Sequence, residues 1–309
     1  MLQLDLKQAL NKKEGEIVNG IVYVTSAYPS TTVTGVNNVS GYLTQKNSQV
    51  YYQVWGDNIE PFKRALTANR ILTIAGKINR WFNPPSINIT FATPDTTGLT
   101  ISDFITTLNL EKLEQDFYQF IECEISPKTR HIINEVITGK VKERFFTEIA
   151  AKNVHDAVIG GLANHTNKML QLAKVLIDND NRLKEYTDLI YCGIIFHDIG
   201  KIQAYNNGQN LEYSYVDHRS FGCELLQESK QKICNLQNTT FYYQLLAIIQ
   251  GHHNQYGDKA KTVWAYLIHL IDTLEAYTTM ILDRYEANLY TEHLNGEKSI
   301  KYDNDTLYY

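Results

Sequence analysis

The chain of 309 residues is poor in the features that mark secreted and membrane proteins. It has only four cysteines (Cys123, Cys192, Cys223 and Cys234), and none of them stands in a CxxC spacing, so no disulfide framework is implied. The longest strongly apolar run, residues 189–196, is far too short to span a membrane. The opening residues lack the apolar core of a signal peptide, so we expect a soluble, cytoplasmic protein without membrane partners.

Positive charge is also scarce, because 29 Lys and Arg stand against 34 Asp and Glu and the net charge is −5. This balance is unusual for a protein that binds nucleic acid, but the charge is unevenly distributed. Residues 1–100 carry nine Lys and Arg against six Asp and Glu, a balance of +3, which leaves −8 for the remainder. The N-terminal part is therefore the better candidate for contacting phosphates.

Histidine and aspartate, in contrast, recur at the inward faces of several predicted helices. The pair His197-Asp198 ends the apolar stretch CGIIFHD, and further candidates lie on separate predicted helices at His165, His218, His252, His253 and Asp272. Imidazole and carboxylate ligands suit Mn, Fe, Co or Zn, and a carboxylate beside a histidine can bridge two ions. Residues three or four apart share a helix face, so ligands on apolar stripes converge inside a helical bundle. The pattern predicts a metallohydrolase, with Mn as the first choice of metal.

Four histidines and one glutamate need separate treatment. His252 and His253 project about 100° apart on a helix, so we expect only one to bind metal; His252 lies on the apolar stripe and is preferred, although a frayed helix end would present either. His269 lies one turn before Asp272 and could orient it, as His155 could near His165. Glu275 shares the stripe of Asp272 and is a further outer-layer candidate.

The motifs resemble those of the HD-domain superfamily of metal-dependent phosphohydrolases. The order EIAAKNVHDAVIGGLANHT, GIIFHDIGKI, EYSYVDHRSFG, GHHNQYG and HLIDTLEA resembles more closely the YhaM-type 3′-5′ exoribonucleases, over residues 15 to 280. In that family an oligonucleotide-binding (OB) fold precedes the HD domain. The usual HHA segment is replaced here by residues 154–157, and the second acid of the DxLDA motif is Glu275. These departures concern the surroundings of the ligands more than the ligands themselves.

The resemblance also implies roles for individual residues. It places one ion among His165, His197, Asp198 and Asp272, and a second among Asp198, His218 and either His252 or His253. Asp198 would bridge the two ions. Lys201 would neutralise phosphate charge or assist the leaving group, and the protein would form a homo-oligomer, with a hexamer as one option.

The N-terminal part predicts an OB barrel from its strand pattern alone. Five β-prone runs follow one another between residues 16 and 92, and a helical stretch, IEPFKRALTA, separates the third run from the fourth. Such barrels bind single strands with a basic groove and stacked aromatic rings. The candidates are Tyr51, Tyr52, Trp55, Lys77, Arg80, Trp81 and Phe82. Because side chains alternate along a strand, only about half of the aromatic ones can face a ligand.

Beyond residue 100 the periodicity is helical throughout, which predicts an all-α region. We therefore divide the chain into an OB domain (1–97), a helical linker region (98–150), an HD domain (151–285) and a tyrosine-rich tail (286–309). The tail is expected to be partly disordered or to form an oligomer contact.

Three functions are compatible with this organisation. The first is a metal-dependent 3′-5′ exonuclease that acts on single-stranded RNA or DNA and releases nucleoside monophosphates. The second is an HD phosphohydrolase of a nucleotide or cyclic nucleotide, with the barrel used for assembly or regulation. The third, a binding protein without activity, is disfavoured by the full ligand set.

Overall fold

The computed structural model describes residues 3–45, 48–56, 70–81, 85–151, 158–206, 209–210, 216–286, 291–292, 298–302 and 305–308. The chain divides into two compact units, Met1–Thr107 and Leu108–Tyr309. The first unit is built on β-strands and the second mainly on helices.

The first unit is a closed five-stranded barrel. A short helix, α1 (Leu6–Leu10), precedes the strands β1 (Ile17–Thr31), β2 (Asn37–Gln45), β3 (Ser48–Trp55), β4 (Arg70–Asn79) and β5 (Ser86–Pro94). The strand order is β1-β2-β3-β5-β4, and β4 pairs with β1 to close the barrel. Neighbours are antiparallel except β3 and β5, which run parallel. This is the topology of an OB fold, so the fold predicted from the strand pattern is confirmed.

The barrel interior follows the alternation of its strands. On β4, for example, residues 72, 74, 76 and 78 are buried while Thr73, Ala75 and Lys77 between them are more exposed. A bulge between Val24 and Ser26 bends β1, which pairs with β2 over one part and with β4 over another. Gly41 lies opposite this bulge, where a Cβ atom would stand 2.0 Å from the carbonyl oxygen of Ser26, so only glycine allows the two strands to approach.

Two features predicted for this unit concern residues that the structure does not describe. The helix expected between β3 and β4 falls within residues 57–69, and Phe82 falls within residues 82–84. Both ranges lie outside the described residues.

The second unit contains ten helices among the residues that the structure describes. They are α2 (Leu110–Glu124), α3 (Pro127–Val136), α4 (Gly139–Thr147), α5 (Gly161–Asn179), α6 (Thr187–Phe196), α7 (Lys201–Ala204), α8 (His218–Glu228), α9 (Lys230–Leu236), α10 (Thr239–Gly251) and α11 (Val263–Glu286). Side-chain caps start several of them: Asn109 accepts the amide of Lys112 at α2, and Asn238 accepts that of Phe241 at α10. The predicted helical region is confirmed.

Helix α6 lies at the centre of this unit. Every residue from Leu189 to Phe196 is buried, because α5, α10 and α11 pack around the helix. A helix that is apolar on all sides is stable only in such a position. The residues that directly follow α6 are therefore delivered to the interior.

The expectation that everything beyond residue 100 is helical is wrong in two places. A short hairpin pairs β6 (Tyr205–Asn206) with β7 (Gln209–Asn210), and the C-terminal residues form β8 (Thr291–Glu292), β9 (Lys298–Tyr302) and β10 (Asp305–Tyr308). The tyrosine content of the C-terminal segment favours strand pairing over helix. Among the helices that the structure describes, none has both the length and the apolar character that a membrane crossing requires.

Candidate metal centre and nucleic-acid interface

His197 and Asp198 directly follow the buried helix α6. The amide of His197 still donates to Gly193 O of that helix, and its ring Nδ1 donates to the carbonyl oxygen of Ile194 at 2.7 Å. A carbonyl can only accept, so Nδ1 carries the proton and Nε2 keeps a free lone pair. This is the tautomer in which a histidine binds metal through Nε2.

A close contact at Gly200 brings the start of α8 next to Asp198. A Cβ atom at Gly200 would lie 1.8 Å from the carbonyl oxygen of His218, so the turn after α6 and the first residue of α8 can meet only because residue 200 has no side chain. As a result, Nε2 of His218 lies 3.2 Å from Oδ1 of Asp198. Asp217 caps α8 by accepting the amide of Arg219.

The end of α10 repeats the arrangement seen at the end of α6. Nδ1 of His252 donates to the carbonyl oxygen of Ile249 at 2.8 Å, which leaves Nε2 free at 3.5 Å from Oδ1 of Asp198. The next residue, His253, places its Nε2 3.2 Å from Nε2 of His218. Nδ1 of His269 on α11 donates to the carbonyl oxygen of His252 at 2.7 Å, so His269 supports the histidine turn and not Asp272, the residue that the spacing indicated.

Helices α5 and α11 supply the remaining candidates. His165 on α5 faces two carboxylates of α11: its Nε2 lies 3.1 Å from Oδ1 of Asp272, and its Nδ1 lies 2.5 Å from Oε2 of Glu275. Burial alone would lower the pKa of His165, but Asp272 and Glu275 outweigh burial and raise it to about 10. The two carboxylates thus stabilise positive charge at this position, which a cation bound at Nε2 would supply in place of the second ring proton.

The candidate ligands form two groups whose donor atoms lie within 4.8 Å of one another. One group contains Asp198, His218, His252 and His253, and the other contains His165, His197 and Asp272. Asp198 lies between them, because its Oδ1 faces His218 and His252 while its Oδ2 is 3.3 Å from Nε2 of His197. Nitrogen and carboxylate oxygen donors in this number suit borderline divalent cations.

Unsatisfied atoms provide the test of whether an ion fits. Nε2 of His197, Nε2 of His252 and Oδ1 of Asp198 are buried and form no hydrogen bond. Buried polar atoms without partners are rare because each costs about 1–3 kcal/mol. A bound cation would satisfy all three, so the residues present fit a divalent metal.

Lys201 contacts the centre directly. Its ammonium lies 2.5 Å from Oδ2 of Asp198 and 2.6 Å from the carbonyl oxygen of Ala150. Burial acts to raise the pKa of Asp198, but the charge of Lys201 and then that of His197 outweigh it and hold the pKa well below its usual range. The structure therefore shows Lys201 as a partner of Asp198, a role that the sequence pattern did not indicate.

Burial lowers the pKa of the two histidines at the end of α10, and for His253 it does so to about 3. Both rings are thus held neutral, as metal ligands must be. The last predicted outer residue, His155, lies outside the described residues. Sequence reasoning missed Arg219, which binds Asp217 and donates to the carbonyl oxygen of Gln250, and so ties the start of α8 to the end of α10.

The barrel unit presents an uncharged aromatic face on β2 and β3. Tyr51 stands opposite Tyr42 in the strand pairing, with ring centroids 5.5 Å apart, and Trp55 is 38% exposed at the end of β3. Tyr52, by contrast, is fully buried and donates its hydroxyl to the carbonyl oxygen of Ser26. Strands 2 and 3 form the ligand-binding face of OB folds. Tyr42 was not singled out from the sequence, although its position opposite Tyr51 follows from the hairpin register.

The other barrel candidates lie on or after β4. Lys77 is exposed on the strand, and Trp81 is 89% exposed just beyond it. The guanidinium of Arg80 donates to the carbonyl oxygens of Leu10 and Lys12, so it secures the segment after α1. The structure thus brings Tyr51 and Trp55 together on one strand, with the basic candidates on another.

A comparison with protein families identifies the class of the helical unit. The family model for the HD domain matches residues 162–288, a range that contains every member of both ligand groups. The second unit therefore contains an HD domain, and the resemblance to metal-dependent phosphohydrolases is confirmed.

The comparison with curated proteins extends to the whole chain. Proteins named 3′-5′ exoribonuclease YhaM are similar to it in Halalkalibacterium halodurans (22% identity over 91% of this chain and 91% of the relative), Listeria monocytogenes (23%, 97% and 99%) and a Geobacillus species (24%, 93% and 92%). The chain thus resembles the YhaM-type exoribonucleases over nearly its full length, as the motifs predicted. A solved structure of the protein PriB from Ralstonia solanacearum aligns with 28% of this chain at 10% identity and a TM-score of 0.24; the OB assignment rests on strand topology instead.

Proposed function

We propose that the protein is a metal-dependent 3′-5′ exonuclease that degrades single-stranded RNA, with single-stranded DNA as a second substrate, and releases nucleoside monophosphates. The observation that carries the proposal is the set of buried, unpartnered donor atoms around Asp198. Burial of these donor atoms without partners costs free energy. A bound divalent cation would satisfy them and is suited to phosphodiester hydrolysis. The exoribonuclease name of relatives that align with nine-tenths of the chain selects the substrate class and the polarity.

We assign the metal ligands as two sets that share Asp198. His165, His197 and Asp272 complete one set, and His218 with His252 or His253 completes the other. Two ions per centre and Mn²⁺ as the preferred metal are part of the proposal. The ions would polarise the scissile phosphate and lower the pKa of the attacking water.

The chain's own residues prepare the centre in three ways. Hydrogen bonds to backbone carbonyls hold His197 and His252 in the tautomer that presents Nε2. Lys201 keeps Asp198 ionised and fixes its orientation. The buried surroundings restrict access of bulk water, which strengthens each electrostatic contact in the centre.

Substrate binding is assigned to the barrel. The face that carries Tyr42, Tyr51 and Trp55 offers rings on which bases can stack irrespective of sequence. Lys77 and Trp81 would add contacts to the same nucleic-acid strand. We retain the division into a binding domain (1–97), a linker region (98–150), a catalytic HD domain (151–285) and a tail (286–309). A cytoplasmic location also remains part of this proposal.

Self-association is proposed through the outer face of α11. Val263, Tyr266, Leu270, Leu274 and Leu282 are all about half or more exposed, and no exposed side chain described between residues 263 and 282 is charged. A surface helix normally has charged residues on its outer face. A second copy of the chain is the occupant that fits, because an uncharged apolar face about 30 Å long meets its own copy without repulsion between like charges.

The deciding experiment is a gel time course with Mn²⁺ on 5′-labelled single-stranded RNA and DNA of the same sequence. A ladder that shortens from the 3′ end, and that is absent with Asp198→Ala or with a chelator, is expected. Asp180→Ala is the matched control, because it removes a partly exposed carboxylate that contacts Arg182 and belongs to neither ligand group. If metal-loaded protein cleaves neither polymer but hydrolyses mononucleotides, the exonuclease proposal is wrong.

A further inference from the structure

His165 lies between two carboxylates that have different environments. Asp272 faces Nε2, on the side of the metal ligands, and Glu275 faces Nδ1, on the opposite side of the ring. The two acids are three residues apart on α11, so they project from the same face of that helix. Glu275 is 2% exposed and is therefore a buried charge that needs partners.

Two groups contact the other oxygen of Glu275. Oε1 accepts from Oγ1 of Thr279 at 2.7 Å and lies 3.2 Å from the ammonium of Lys168. The same ammonium donates to Oγ1 of Thr279 at 3.0 Å. The ammonium, hydroxyl and carboxylate thus form a closed set of contacts, which fixes the plane of the carboxylate and keeps Oε2 on the ring of His165.

The position of Lys168 in the sequence links this set of contacts to His165. Lys168 is three residues beyond His165 on α5, so one helix supplies both the metal-ligand candidate and the cation that holds its acidic partner. Lys168 also lines a cavity of about 500 Å³ beside α2 and α5, and its side chain is 38% exposed. The ammonium therefore keeps part of its hydration while it contacts a buried carboxylate, which reduces the cost of desolvation.

We propose that Lys168 is a positioning residue for the metal centre: it holds Glu275 against Nδ1 of His165 and so presents Nε2 of His165 to the ion. The inference rests on the metal centre assigned under the proposed function. A carboxylate behind a histidine ligand fixes the ring and increases its basicity, and loss of such a partner typically lowers metal affinity by a factor of about 10–100. Lys168 acts one contact further out, so we expect a loss near the lower end, roughly tenfold.

Lys174 provides a matched control on the same helix. Its side chain is 33% exposed, close to the value for Lys168, and its ammonium contacts two acids, Glu124 at 2.8 Å and Asp178 at 3.1 Å. Neither acid belongs to the ligand groups. Lys174→Met therefore removes a lysine of similar exposure on the same helix, together with its two ion contacts, without touching the centre.

The test is a Mn²⁺ titration by calorimetry on metal-stripped full-length protein. Lys168→Met should weaken binding by roughly tenfold at one class of site and leave the other class unchanged. In activity assays the Mn²⁺ concentration for half-maximal rate should rise by a similar factor, with little change in rate at saturating Mn²⁺. Lys174→Met should match the wild type, and Lys168→Arg should recover most of the affinity.

Wild-type affinity in Lys168→Met would overturn the inference, as would an equal loss in both methionine variants, which would indicate a general effect on α5. Thermal unfolding of the metal-free variants checks that each is folded. If Lys168→Met does not fold, two smaller changes decide the question: Lys168→Gln, which removes the ammonium, and Thr279→Val, which removes the hydroxyl that contacts both Lys168 and Glu275. If the wild type itself binds no Mn²⁺, the proposed metal centre fails together with this inference; if it binds normally and the variants do too, only the role of Lys168 fails.

Discussion

Oδ1 of Asp198 and Nε2 of His252 lie 3.5 Å apart, and neither of these buried atoms forms a hydrogen bond. Because Nδ1 of His252 donates to the carbonyl oxygen of Ile249, its Nε2 carries a lone pair, and two acceptors then face each other. Such a pair is repulsive in isolation. It becomes favourable when a cation lies between the two atoms.

Metal binding should therefore stabilise the folded protein. At a free Mn²⁺ concentration 100 times the dissociation constant, the gain is about 2.7 kcal/mol, which corresponds to roughly 5–10 °C in melting temperature. Differential scanning fluorimetry with and without chelator measures it. Asp198→Ala should lose most of the Mn²⁺-dependent shift, whereas Asp180→Ala should keep it; an equal shift in both variants would contradict the ligand assignment.

The two adjacent histidines should differ in importance. His252 is 1% exposed, and its ring is held by Ile249, so His252→Ala removes an oriented ligand and should lower Mn²⁺ affinity by about 100-fold. His253 is less buried and follows the helix end, so His253→Ala should cost about tenfold or less. Calorimetric titration ranks the two, and a larger loss for His253→Ala would reverse the assignment.

Gly200→Ala should disturb the centre through packing. The added methyl group would meet the carbonyl oxygen of His218 at 1.8 Å, so the turn and α8 must separate, at a cost of about 1–3 kcal/mol. Urea denaturation measures the stability, and a Mn²⁺ titration measures the displacement of His218. Ser220→Ala, an exposed change on the first turn of α8, is the control; unchanged stability in Gly200→Ala would refute the close contact.

The aromatic face of the barrel should control affinity for polymers. If bases stack on Tyr51 and Trp55, each alanine variant should lose about 1–3 kcal/mol, a rise in KM for single-stranded RNA of roughly 5- to 100-fold. The kcat value should change little, and hydrolysis of a small model phosphodiester should not change. Phe91→Ala, an exposed aromatic on β5 outside the segment that pairs with β3, is the comparison. Equal effects of all three variants would argue against a localised binding face.

A charged residue on α11 should break self-association. Leu270→Glu and Leu274→Glu each place a charge within the exposed apolar row, where two copies would bring like charges together. Sedimentation velocity over a range of concentrations should show a shift from oligomer to smaller species. Tyr243→Glu, on an exposed position of α10, should leave the assembly unchanged. A wild type that is monomeric at all concentrations would exclude the interface.

The candidate ligands were predictable from sequence because their signal is local. His197 and His252 each end an apolar run, and such a run must be buried wherever it lies in the fold. The five strands were predictable for the same reason, since alternation and turn residues are short-range features. The apolar pattern also placed Tyr52 and Tyr51 on opposite faces of β3, but it did not say which was inside.

The partners of the candidate ligands were not predictable, because tertiary packing creates them. His165 and Glu275 are 110 residues apart in the chain, and nothing in either segment indicates that Lys168 and Thr279 meet on the far side of the carboxylate. The contact of Lys201 with the carbonyl oxygen of Ala150 is of the same kind. A motif identifies which residues could bind metal, whereas the packing of α5 on α11 determines how firmly His165 is held.

Two helices, α6 and α10, end at His197 and His252, and both histidines donate to a carbonyl three residues earlier. The C-terminal end of a helix carries a partial negative charge of about half an elementary charge. Two such ends converge on the carboxylates of Asp198 and Asp272, so the backbone itself contributes to a negative potential at the centre. Cations would be attracted to this region before any individual ligand bond forms, and uptake of metal by the apo protein should slow as ionic strength increases.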